Sequence, residues 1–164
     1  MRSRRSTSLL FAAAVATSAA LAVSPPAQAE DAIVKLVSNQ SGKCLQPASL
    51  NQGAEVIQMT CNGTRAQQWT VKFERRGVHL VNRASQFCMD AFGGATNGTP
   101  IIQWVCNDIS NENWSFGLGN NLLASLVAGT RSHCIASPGP DDGLPMELRF
   151  CDGNLSQLWS RPNG

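Results

Sequence analysis

The sequence predicts an all-β domain, a small β-barrel closed from three copies of one unit. Three observations carry that expectation. Cysteines, tryptophans and a Leu-Val pair recur with a period near 45 residues. Short runs of strand-forming residues alternate with turns rich in Asn, Gly, Ser and Pro. Outside the N-terminal stretch, no window of a dozen residues carries an apolar stripe at helical spacing.

The repeat comes first because it organises everything else. The first cysteines are Cys44, Cys88 and Cys134, 44 and 46 residues apart. The second cysteines (Cys61, Cys106, Cys151) and the tryptophans that follow (Trp69, Trp114, Trp159) step by 45. Leu36-Val37, Leu80-Val81 and Leu126-Val127 begin eight residues before the first cysteine each time. The repeats run approximately over residues 32–76, 77–118 and 119–164, with about four strands in each. Strand character lies in Ile33–Val37, Glu55–Thr60, Trp69–Phe73, Val78–Val81, Ile101–Val105, Trp114–Leu118 and Met146–Phe150. One copy cannot bury its own apolar face, so the three must close on one another, as in a small barrel.

Residues 1–29 read as a secretory signal peptide. Arg2, Arg4 and Arg5 precede the apolar run Leu9 to Val23, and Ala27-Gln28-Ala29 places small residues at the positions a signal peptidase requires. The run is too short and too rich in alanine for a good membrane span. The expected mature domain, 30–164, has 135 residues, enough to bury roughly two thirds of its unfolded surface. Of the 13 basic residues the leader holds three, leaving 10 against 11 acids. That balance offers no electrostatic footprint for nucleic acid or an anionic membrane. A secreted, extracellular protein is expected.

All six cysteines fall in the exported part, where an even count points to disulfides. Six allow fifteen pairings. Three of these respect threefold symmetry, and the most local joins Cys44–Cys61, Cys88–Cys106 and Cys134–Cys151. Each such loop contributes on the order of 3 kcal/mol through unfolded-state entropy. A zinc site is disfavoured by the absence of any CxxC pair and by the presence of only two histidines.

Catalysis finds little support. Glycoside hydrolysis needs two facing carboxylates. Asp141-Asp142 are adjacent in a Pro/Gly turn, and Asp90 has no obvious acidic partner in its repeat except Glu112. There is no HExxH, no GxSxG and no Gly-rich phosphate loop. His79 and His133 read as structural or exposed side chains. No enzyme activity, cofactor or metal is expected.

The repeats end in Gln67-Gln68-Trp69, Glu112-Asn113-Trp114 and Gln157-Leu158-Trp159, a QxW signature with Glu112 replacing glutamine in the middle copy. With the paired cysteines and the period, this resembles the ricin B-type β-trefoil lectins, also found as carbohydrate-binding modules of secreted bacterial glycosidases. The resemblance covers essentially the whole mature chain. It implies a twelve-stranded barrel capped by hairpins, with up to one shallow sugar site per repeat. The symmetric tryptophans are expected in the shared core, and Gln67 and Gln157 in backbone turns.

Departures from symmetry are more informative, because the copies serve as controls for one another. Two residues after the first cysteine stand Gln46, Asp90 and Ala136; two before the second stand Met59, Trp104 and Arg149. Three before the QxW tryptophan stand Ala66, Asn111 and Ser156. In the family these positions carry the sugar-binding aspartate, the stacking aromatic and an asparagine. Only the middle copy has all three: Asp90, Trp104 and Asn111. A carboxylate accepts charge-assisted hydrogen bonds from neighbouring hydroxyls. An exposed indole offers a flat apolar platform to a sugar's C–H face. A carboxamide both donates and accepts. The expectation is a secreted lectin with one competent site for a galactose- or xylan-type glycan. The alternative is a protein-binding trefoil, either a hydrolase inhibitor or the cell-binding subunit of a multi-chain toxin, with Arg149 and Phe150 at the interface.

Overall fold

The computed structural model describes residues 31–117 and 132–164, together with the backbone of 123–125. The leader, Leu118 and the Leu126-Val127 pair lie outside the described residues. Among the described residues thirteen strands occur, β1 to β13 in chain order. Three hairpins repeat one register: β3 (Cys44–Pro47) with β4 (Val56–Met59), β7 (Cys88–Ala91) with β8 (Ile101–Trp104), and β11 (His133–Ala136) with β12 (Glu147–Phe150). In each, the first cysteine faces the residue two before the second: Met59, Trp104 and Arg149.

Backbone hydrogen bonds join the three hairpins in a ring. Gly53 N donates to Gln103 O at 2.8 Å, Gly98 N to Leu148 O at 2.8 Å, and Gly143 N to Gln58 O at 2.9 Å. Each bond crosses from one repeat to the next. These glycines sit at φ of 81°, 84° and 81°, in left-handed conformations that any side chain would strain. Buried glutamines reinforce two of the three junctions: Gln58 Nε2 reaches Gly139 O and Asp141 O, and Gln103 Nε2 reaches Ser49 O and Asn51 O. Leu148 occupies the third position and cannot.

The remaining strands form the body beneath this cap. β1 (Ala32–Val34) pairs with β5 (Trp69–Glu74), β5 with β6 (Gly77–Asn82), β6 with β9 (Trp114–Phe116) and β9 with β10 (Leu123–Ser125). The C-terminal end returns to the first strand through a Val34–Asn163 bridge, with Lys35 N donating to Pro162 O at 2.9 Å. β13 (Trp159–Ser160) pairs with β2 (Val37–Ser38). The architecture is a β-trefoil.

At its centre lie the three symmetric tryptophans, buried as expected. Their indole N–H groups all donate to the carbonyl that follows the first cysteine: Trp69 to Leu45 at 3.1 Å, Trp114 to Met89 at 2.9 Å and Trp159 to Ile135 at 3.0 Å. A buried N–H without a partner would cost a few kcal/mol, which explains why this bond repeats. Leu36, Leu45, Leu80, Met89, Ile101, Ile135, Met146 and Leu148 pack around them. The most local cysteine pairing is the one formed: Cys44–Cys61, Cys88–Cys106 and Cys134–Cys151.

Two features differ from the sequence expectation. The run Ile33–Val37 is divided, because Lys35 bonds to the C-terminal segment while Leu36 O accepts from Leu45 N. The strands that carry the first cysteine of each repeat were also not expected from the sequence. Each is four residues long with three or four of them buried, so no in–out alternation marks it.

Candidate functional site

A hollow of about 250 Å³ opens on the middle repeat, lined by Asp90, Phe92, Gly93, Trp104, Ile109 and Asn111. The hairpin supplies Asp90 from β7 and Trp104 from β8. Asn111 comes from the 3-10 turn Ser110–Glu112 that leads into the core tryptophan. The structure therefore brings together the three residues singled out from the repeat comparison.

Asp90 is 2% exposed. Its Oδ2 accepts a hydrogen bond from Asn111 Nδ2 at 2.7 Å, and its Oδ1 has no partner. Burial pushes the carboxyl above the ordinary aspartate range, and the Asn111 bond pulls it partly back. The result is a fixed carboxylate with an unspent acceptor. One amide hydrogen of Asn111 is committed to this carboxylate, so the asparagine orients Asp90 as well as facing the hollow. Trp104 is half-buried and rests on the first repeat: a Cβ on Gly53 would come within 3.3 Å of its Cζ3. The indole is braced between repeats while it lines the hollow.

The outer copies are built differently. Gln46 Oε1 accepts from Gln67 Nε2 at 3.0 Å, which draws the first repeat's polar group into the QxW turn. Arg149, placed at the interface in the protein-binding alternative, is held by Glu147 through Nε at 2.7 Å and Nη2 at 2.6 Å.

Beneath the middle site the QxW position has changed character. Gln67 Oε1 accepts from Asn62 N and Gly63 N while Nε2 donates to Thr60 O. Gln157 does the same with Asp152 N, Gly153 N and Phe150 O. Glu112 is fully buried and accepts from Asn107 N and Asp108 N, but an ionised carboxylate has nothing to donate. Burial raises its carboxyl above the usual range; the Asn107 N–H and His79 oppose that rise, and Asp90 adds to it. Asp108 stands at φ 59°, where the outer repeats have Gly63 and Gly153. Its Oδ1 lies 3.8 Å from Nδ1 of the buried His79.

Two groups of metal-ligating side chains occur among the described residues, and neither fits a cation well. In the first, His79, Cys88 and Glu112, the cysteine is spent in a disulfide. In the second, Glu74, His79 and Asp108, the adjoining hollow is also lined by Arg75 and Arg76. Sequence reasoning passed over Phe92 and Ile109. The signal was available: their counterparts are Ala48 and Pro138, and Thr64 and Asn154.

Residues 32–159 match the profile of the ricin-type β-trefoil lectin domain. The chain belongs to that family. Solved structures of similar fold include the designed threefold-symmetric protein ThreeFoil, 25% identical with a TM-score of 0.73; the match covers 80% of this chain and 99% of that one. The exo-β-1,3-galactanase 1,3Gal43A from Clostridium thermocellum is 26% identical with a TM-score of 0.73, and the match covers 81% of this chain but 30% of the enzyme. The Macrolepiota procera ricin B-like lectin, solved with lactose, is 17% identical with a TM-score of 0.70, covering 84% of this chain and 100% of that one. A search of curated proteins finds no match. Carbohydrate binding is the activity to which this ricin-type trefoil is suited, and no helix among the described residues is long and apolar enough to cross a membrane.

Proposed function

We propose that the protein is a secreted lectin that binds one glycan, of galactose or xylan type, in the hollow of its middle repeat. The observation that carries this reading is the unpartnered Oδ1 of Asp90, beside the Asn111-bonded Oδ2 and in one hollow with Trp104. A buried carboxylate oxygen without a donor is costly unless a ligand hydroxyl supplies one. The indole then takes the apolar face of the same ring. The galactose side of the expectation draws support from the galactanase that shares the fold. The leader-like N-terminus and the three disulfides support export. One shallow site implies weak binding, roughly 0.1–1 mM, so avidity would come from multivalent glycans.

Phe150 is exposed and keeps the protein-binding alternative in view, but Arg149 beside it is neutralised by Glu147. The sugar reading is favoured. A glycan array run with wild type, Asp90→Ala and Trp104→Ala tests it. Binding by wild type that both substitutions abolish is the expected result. Silence from the folded wild-type protein across the array would shift the reading to a protein partner.

A further inference from the structure

Phe92 and Ile109 are 58% and 46% exposed, and both line the hollow that holds Asp90 and Trp104. Nothing in the fold requires either side chain, as the other repeats show. Phe92 N donates to Pro100 O at 3.1 Å, and its first-repeat counterpart Ala48 N donates to Glu55 O at 2.8 Å. The backbone is the same, yet one repeat carries a methyl group there and the other a phenyl ring.

Ile109 is the sharper case. It precedes a 3-10 turn at φ −81° and ψ 161°, where Thr64 stands at −67° and 160° and Asn154 at −61° and 154°. None of the three side chains makes a capping hydrogen bond, so the turn itself does not select among isoleucine, threonine and asparagine. A large apolar side chain left half in water does not help the core, and exposed apolar groups that line a hollow mark a binding surface.

We propose that Phe92 and Ile109 form a second apolar subsite, continuous with the first, that takes the next pyranose ring of the ligand. The protein's ligand is then an oligosaccharide of two or more rings rather than a single sugar. Asp90, Asn111 and Trp104 grip one ring, while the phenyl ring of Phe92 offers its face to the C–H surface of the neighbour and Ile109 closes the side. This rests on the proposed sugar site at Asp90.

Calorimetric titrations with galactose, lactose, xylose and xylobiose test it on wild type, Phe92→Ala and Ile109→Thr. Both substitutions install the first repeat's own residue, so the backbone they require already exists in this fold, and thermal unfolding checks that it is kept. Wild type should bind the disaccharide of the accepted series more tightly than its monosaccharide, by roughly three- to tenfold, the scale of one aromatic contact. Phe92→Ala should erase that gain, lowering disaccharide affinity more than monosaccharide affinity. Equal affinity of wild type for one ring and two would overturn the subsite while leaving the Asp90 site standing. So would an equal loss for both ligands in Phe92→Ala. Failure of wild type to bind any of the four sugars would remove the Asp90 site and the subsite together.

Discussion

Asn111 Nδ2 stands 2.7 Å from Asp90 Oδ2, and this bond ties the turn before the core tryptophan to the hairpin that carries the carboxylate. The outer repeats have alanine or serine in place of the asparagine and glutamine or alanine in place of the aspartate, so neither can form it. Asn111→Ala should weaken sugar binding by about tenfold, because a hydrogen bond to a charged group is worth about 1.5–3 kcal/mol. It should also leave Asp90 with no donor at all. Titration calorimetry reads the first effect, and an upward displacement of the Asp90 carboxyl's NMR titration reads the second.

Binding should depend on pH in one direction. In the proposed site Asp90 would accept ligand hydroxyls as a carboxylate, and burial holds its pKa above the ordinary aspartate value against the opposing Asn111 hydrogen bond. Affinity should therefore be full near neutrality and fall as pH drops through that raised pKa, at a higher pH than an ordinary aspartate would give. Asp90→Asn should bind weakly at every pH. Titrations at pH 7, 5 and 4 show whether the loss appears and whether the substitution flattens it.

Glu112 should make the fold less stable as pH rises. Its folded-state pKa lies above the unfolded one, so between the two values the folded protein holds more protons and stability declines with increasing pH. Glu112→Gln removes that penalty and restores the donor that Gln67 uses on Thr60 O. A gain of about 1 kcal/mol at pH 7, shrinking at pH 4, is expected. Urea unfolding at both values decides; the same gain at both would mean that ionisation is irrelevant.

The two classes of tryptophan should separate cleanly. Trp159→Ala removes a buried ring whose N–H bonds Ile135 O, and should cost about 3–5 kcal/mol of stability. Trp104→Ala opens a half-buried surface against Gly53, so it should cost well under half as much and abolish binding instead. Thermal unfolding beside sugar titration on both variants tests the distinction.

What the sequence disclosed follows from symmetry. Cysteines and tryptophans that step by 45 residues had to be equivalent, so core and disulfides were legible together. Asp90, Trp104 and Asn111 stood out because the other copies lack them. Phe92 and Ile109 depart from symmetry just as plainly, but an exposed Phe or Ile in a turn carries no chemical label until it is seen beside a carboxylate. The short strand Cys88–Ala91 was hidden because all four residues are buried, leaving no alternation to read. Asp108 in a glycine's conformation, reaching towards His79, depends on a backbone angle that no residue pattern announces.

The most direct test of a single site in the middle repeat is its stoichiometry. Isothermal titration of the folded protein with the disaccharide it accepts should give one site per chain, and Asp90→Ala should give none. Two or three sites per chain, or full binding by Asp90→Ala, would contradict the account.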